Sequence, residues 1–142
     1  MTTRVFIATS LDGFIARADG SLDWLFAAAD PSSQDDHGYA DFMSTIDTLI
    51  MGRATFDFVA GLDTWPYEGK RVYVCSMTKT VEDYPAHLRD KYTLVQGTPD
   101  EAWERAAREG ATGVYADGGR VIQTLLRSDR IDELTITRIP VI

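Results

Sequence analysis

The chain has 142 residues, enough for one domain that buries a core without disulfides. Its 44% hydrophobic and 25% charged content is that of a soluble globular protein, and no apolar run approaches the ~18 residues needed to cross a bilayer. With 22 acidic against 14 basic residues and a net charge of −8, nucleic acid and acidic membrane surfaces are disfavoured as partners, since both require a basic face.

The first strand is expected over Arg4–Ser10, around Val5-Phe6-Ile7-Ala8. Leu11–Trp24 carries Asp-Gly twice, which predicts a long looped segment rather than a helix, of the kind that covers or binds a ligand. Trp24 reads either as a lid aromatic or as a core residue. A turn at Pro31–Ser33 precedes a helix expected from Gln34 to Thr45. Asp35, Asp36 and Asp41 give it an acidic start and face, while Tyr39, Phe42, Met43 and Ile46 supply an apolar side.

Thr48–Met51 reads as a buried strand ended by Gly52, with a short helix from Arg53 to Val59 after it. Gly61–Gly69 is an irregular connection. Further strands are expected at Arg71–Cys75, Tyr92–Val95, Gly113–Ala116 and Glu133–Ile142. Thr98-Pro99-Asp100-Glu101 announces a helix running to Glu109, with an N-cap, a proline at the first position and a capping acid three residues on. Another helix is expected over Gly119–Arg127, where Val121, Ile122, Leu125 and Leu126 form its buried face. Alternating apolar strands and helices predict a mostly parallel sheet covered on both faces, in a single domain over residues 1–142.

Two stretches carry the chemistry. In Met51-Gly52-Arg53-Ala54-Thr55 a strand feeds a helix N-terminus through a glycine. That leaves free N–H groups and a positive dipole end beside a guanidinium fork and a hydroxyl, a combination suited to phosphate. In Ala116-Asp117-Gly118-Gly119-Arg120 a second strand does the same through paired glycines, which let an extended ligand lie against backbone. Either stretch alone has a plainer reading as an ordinary turn. Together they predict an anion or dinucleotide site at the C-terminal ends of the strands, with Arg53, Lys79 and Arg120 as local cations. The lone Cys75 lies in an apolar run and reads as a buried structural thiol in a reducing compartment, so a cytoplasmic location is expected.

Five segments, in order, resemble the dihydrofolate reductase-like superfamily and the reductase domain of bifunctional riboflavin-biosynthesis enzymes, which shares that fold. They are ATSLDGFIA (Ala8–Ala16), DTLIMGRATF (Asp47–Phe56), VCSMT (Val74–Thr78), DGGRVIQTLL (Asp117–Leu126) and IDELTITRIPVI (Ile131–Ile142). The resemblance implies an NADPH site. Ala8 and Ile15 would meet the nicotinamide end through backbone, and Gly52, Arg53 and Thr55 would hold phosphate. Ser76, Met77 and Thr78 would meet the adenosine ribose and its 2′-phosphate. Gly118 and Gly119 would approach the pyrophosphate, with Arg120, Val121 and Ile122 beside it.

It also implies hydride transfer to a C=N or C=O carbon of a small pterin-like or ribosylamino-pyrimidine-like heterocycle. Thr137 matches a strand threonine that faces a substrate carboxylate in the folate enzymes. Asp36 fits that carboxylate by its distance from Gly52, whereas aligning Phe42 would put Gly38 there. Asp12 is the polar residue closest to the nicotinamide end. Each of these aspartates also has a plainer reading as a solvated turn or helix-face acid. The basic residues that follow the tryptophan in the riboflavin reductases are absent from Leu25-Phe26-Ala27-Ala28-Ala29. The closing antiparallel strand pair of the relatives is not expected within these residues, and an unpaired edge would favour a homodimer. The rival expectations are a nucleotide-binding or regulatory module of the same fold without turnover, and a flavin-binding electron carrier. No metal site is expected.

Overall fold

The computed structural model describes residues Met1–Ile142. The strands are β1 (Thr2–Thr9), β2 (Thr48–Gly52), β3 (Arg71–Cys75), β4 (Thr93–Val95), β5 (Gly113–Asp117) and β6 (Glu133–Arg138). The helices are α1 (Asp23–Ala28), α2 (Tyr39–Ser44), α3 (Arg53–Ala60), α4 (Pro99–Arg108) and α5 (Gly119–Arg127). The strands form one sheet in the order β4-β3-β2-β5-β1-β6, and every pairing is parallel. This is the expected α/β sheet of the dihydrofolate reductase-like kind.

Helices cover both faces because the central strands are apolar on both. On one face α4 and α5 press Ala102, Ala106, Val121, Ile122 and Leu125 onto Val5, Ile50, Val114 and Ala116. On the other, Phe56 and Val59 of α3 join Leu49, Met51, Val72, Val74 and Tyr115. Phe56 is fully buried and its ring lies 4.7 Å from that of Tyr84 and 4.6 Å from that of Tyr92. Burying such a ring contributes about 1.5–3 kcal/mol. Phe6, Phe42 and Tyr115 stack in sequence at 4.9 Å on the same face, and this pins α2 to the sheet.

Three expectations need correction. The helix expected from Gln34 begins only at Tyr39, because the carboxylates of Asp35 and Asp36 accept hydrogen bonds from backbone N–H groups two residues on and hold a turn there. The last strand ends at Arg138 rather than Ile142. Beyond it Ile139 donates to the Thr9 carbonyl and Leu11 to that of Val141, so the segment folds over the end of β1 instead of extending the ladder. A short helix, α1, starts inside the end of the looped segment, where Trp24 provides its buried anchor.

Consecutive strands β1 and β2, β4 and β5, and β5 and β6 are not neighbours in the sheet. After β2, β3 and β4 step outward, β5 returns to lie between β2 and β1. The connections therefore diverge around β5 and leave a crevice outside the C-terminal strand ends, the position where parallel sheets bind ligands.

Candidate cofactor groove and adjoining cavity

A groove of about 720 Å³ occupies that crevice. Gly52 and Gly118 share it, as expected of neighbouring strand tips. Arg53, Thr55, Ser76, Met77, Thr78, Gly119, Arg120 and Val121 also line it. Its floor is built from two helix N-termini, those of α3 and α5, neither of which has a side-chain cap. Their first N–H groups are left to whatever enters the groove. The third helix near it, α4, is closed by the expected capping box: Thr98 Oγ1 accepts from Glu101 N–H at 3.2 Å and the Glu101 carboxylate from Thr98 N–H at 2.7 Å.

The glycines are there for closeness. Gly118 has φ 97°, and a Cβ on it would lie 2.8 Å from Thr55 Oγ1. A Cβ on Gly119 would lie 3.1 Å from Ile15 Cδ1. Thr55 and Ile15 already occupy the space a side chain would fill, so only glycine lets these segments lie so close. Arg53 Nη1 donates to Thr78 Oγ1 at 3.4 Å across the groove mouth. Ser76 Oγ accepts from the N–H groups of Thr78 and Lys79 at 3.3 and 3.0 Å, which shapes the turn after β3. The donors, two open helix ends and two guanidinium groups, fit a phosphate-bearing dinucleotide.

Not every expected residue faces the groove. Ile122 is buried in the core beneath α5. Ile15 packs over Gly119, and Ala8 sits inside β1 opposite Thr137, so neither lines the groove wall directly. Cys75 does line it, although almost buried, and burial pushes its thiol up to about 12, as befits an inert structural thiol. Gly97 and Pro99 line it too; their place after β4 could be read from sequence, but not their reach into the crevice.

A second cavity, of about 630 Å³, lies beside the first and shares Ala16, Arg17 and Ala18 with it. Of the two readings of Trp24, the structure shows the core one: it is buried, and it also lines this cavity. Asp12 lines the cavity and accepts from Ser10 Oγ at 2.6 Å. Asp36 is elsewhere. Its carboxylate is exposed and accepts from Gly38 and Ala40 N–H at 3.0 and 2.8 Å, closing the start of α2. Those bonds hold its pKa below the usual carboxylate range.

The acid that sequence reasoning passed over is Asp117. Side chains alternate along β5, so Asp117 shares the sheet face of Tyr115. Thr137 is level with Ala8 on the next two strands. No arginine or lysine pairs with the Asp117 carboxyl. Burial pushes its pKa up to about 6, against the opposing pull of the Gly118 N–H. The same negative charge helps raise the phenols of Tyr39, Tyr67 and Tyr115, for each of which burial is the larger cause. The available signal was an acid immediately before paired glycines; its burial could not be seen without the strand order.

The RibD C-terminal domain family model matches residues 2–142. A Bacillus subtilis (strain 168) protein named YwjB, described as uncharacterized, is 36% identical over 143 residues, covering 99% of this chain and 77% of the relative. The crystal structure of a putative riboflavin biosynthesis protein from Shewanella sp. PV-4 superposes with a TM-score of 0.85 at 43% identity, covering 100% of this chain and 78% of that one. The Saccharomyces riboflavin biosynthesis reductase Rib7 superposes with a TM-score of 0.56 at 16% identity, over 99% of this chain and 74% of that one, and shares the fold. With its sheet order, its groove and these likenesses in agreement, the chain belongs to the RibD C-terminal domain family.

Proposed function

We propose that the protein is an NADPH-dependent reductase acting on a small heterocyclic substrate, pterin-like or ribosylamino-pyrimidine-like. The observation that carries this reading is the convergence of two uncapped helix N-termini and the guanidinium groups of Arg53 and Arg120 on one groove at the sheet's crossover point. Bound there, NADPH would supply the hydride. Arg53, Thr55, Ser76 and Thr78 would hold phosphate and ribose oxygens, and the Gly118-Gly119 backbone would lie against the pyrophosphate.

Two carboxyl groups are assigned to the substrate in this reading: Asp12 in the adjoining cavity, and Asp117 at the tip of β5, outside the lining of either depression. Asp12 lines the adjoining cavity and would hold a donor on the ring. Asp117, whose pKa near 6 leaves it able to carry a proton close to neutrality, would deliver that proton to the reduced atom, with Thr137 on β6, two strands away, as a further hydrogen-bond partner to the substrate. Asp36 keeps its helix end closed in this reading. The family membership and the 43% identity to the Shewanella protein support the assignment.

Titration with NADPH, followed by nicotinamide fluorescence, tests it: saturation below the millimolar range is expected, and none at millimolar NADPH overturns it. Arg53→Ala is expected to weaken NADPH about tenfold and NADH less. Equal losses would show that Arg53 does not read the 2′-phosphate. One observation favours a nucleotide-binding module without turnover, namely that Asp36 is committed to α2. NADPH oxidation in the presence of candidate heterocycles separates the two.

A further inference from the structure

Charge is divided between the two depressions. The groove holds Arg53 and Arg120, with Lys79 on the turn beside it. The cavity next to it holds one cation, Arg17, and that one is spoken for: its Nε donates to Asp23 Oδ1 at 2.6 Å. With Asp12 also in the wall, one positive and two negative groups leave the cavity a formal −1. The surrounding chain offers no relief. Between Arg17 and Arg53 there is no lysine or arginine, so neither α1 nor α2 brings a cation to the cavity. Arg138 cannot serve, since it does not line the cavity and alternates onto the sheet face of Leu134 and Ile136. Apart from these charges and Ser10, whose hydroxyl donates to Asp12, the wall is apolar, with Trp24, Ala27 and Ala28 in it.

We propose that the cavity takes an uncharged or cationic flat heterocycle that carries no phosphate ester. Such a ring would lie against Trp24, give a donor to Asp12, and adjoin the groove across Ala16–Ala18. A terminal phosphate carries between one and two negative charges at neutral pH and needs forked or multiple donors. Here it would meet Asp12 and Asp23 with no free cation within the cavity. The groove grips an anion and the cavity rejects one. Calling the cavity's ligand a substrate rests on the reductase reading above; its preference in charge does not.

The test uses a matched pair, a ribosylamino-uracil and its 5′-phosphate, bound to the full chain in saturating NADP⁺. The oxidised cofactor prevents turnover and blocks phosphate from entering the groove. Calorimetry is expected to show the dephosphorylated compound binding at least tenfold tighter. In Asp12→Asn/Asp23→Asn, where Arg17 is released, the gap should narrow by about fivefold. A 5′-phosphate that binds as tightly or more tightly, a gap unchanged in the double variant, or no binding of either compound at millimolar concentration overturns the proposal. NADPH titration of the same preparation separates the two readings. NADPH binding with preference for the phosphate ester defeats only the substrate class. Loss of NADPH binding with the heterocycle preference intact defeats only the reductase reading.

Discussion

The two rims of the sheet are built by opposite rules, and two aspartates display the difference. At the N-terminal rim, Asp47 stands just before β2, and its carboxylate is saturated. It accepts from Thr112 and Gly113 N–H at 2.9 and 3.3 Å, from the Thr112 hydroxyl, and from Thr48 Oγ1 at 2.7 Å. Burial alone would raise its pKa, but these hydrogen bonds outweigh burial and bring it down to about 2. At the C-terminal rim, Asp117 has burial without that supply of donors, and its pKa rises to about 6. One rim satisfies its polar groups and closes the fold. The other leaves a carboxyl, two helix ends and a pair of glycines with capacity to spare. Polar groups are paired off at one end of the strands and left available at the other.

The largest expected effect separates the rims through their glycines. A Cβ at Gly113 would sit 1.9 Å from the Thr45 carbonyl oxygen, a backbone atom that cannot move aside. Gly113→Ala is expected to cost about 3 kcal/mol or more, read as loss of soluble protein or an early denaturant midpoint. Gly118→Ala meets the Thr55 hydroxyl and a left-handed φ, so its cost to stability is smaller, about 1–3 kcal/mol. Its main effect is expected on NADPH affinity, at least tenfold weaker. If the two variants lost stability equally and cofactor binding equally, the division between rims would be wrong.

Asp117→Asn sharpens the contrast in two directions. Turnover is expected to fall about a hundredfold, the scale of a lost proton donor. Stability should move the other way. A raised folded pKa means the charged form is disfavoured in the fold, so ionisation costs stability as pH rises from the ordinary carboxylate range through about 6. Removing the charge is expected to raise Tm by a few degrees at pH 7.5, up to about 2 kcal/mol, with the gain gone below pH 4. A pH-independent Tm difference would show that Asp117 titrates normally.

The smallest effect belongs to Asp47→Ala. The stability given by a depressed carboxylate is present above its unfolded pKa and fades as pH falls toward about 2. Since the Asp47 side chain is partly exposed, with a relative area of 39%, the loss at pH 7 is expected near 1 kcal/mol. It should shrink on acidification, and turnover per folded molecule should stay unchanged.

Most of the fold was legible because local rules agreed with the global one. Residues 71–75 form a strand as expected, and residues 119–127 a helix, because their apolar spacing matches the face each one buries. The α4 capping box was readable letter by letter, being entirely local. Reading failed where short polar contacts compete with helix, at Asp35 and Asp36, and where a chain end folds over a strand, at Ile139–Ile142.

The sequence by itself determined most of the strands and the later helices, the two glycine-bearing strand ends and the shortage of cations between Arg17 and Arg53, since each is a matter of local pattern and composition. Only the tertiary structure decided that residues 52 and 118 face one groove and that the half-buried Asp117 carboxyl has no cation beside it. Those facts depend on strand order and side-chain reach, which join residues far apart in the chain.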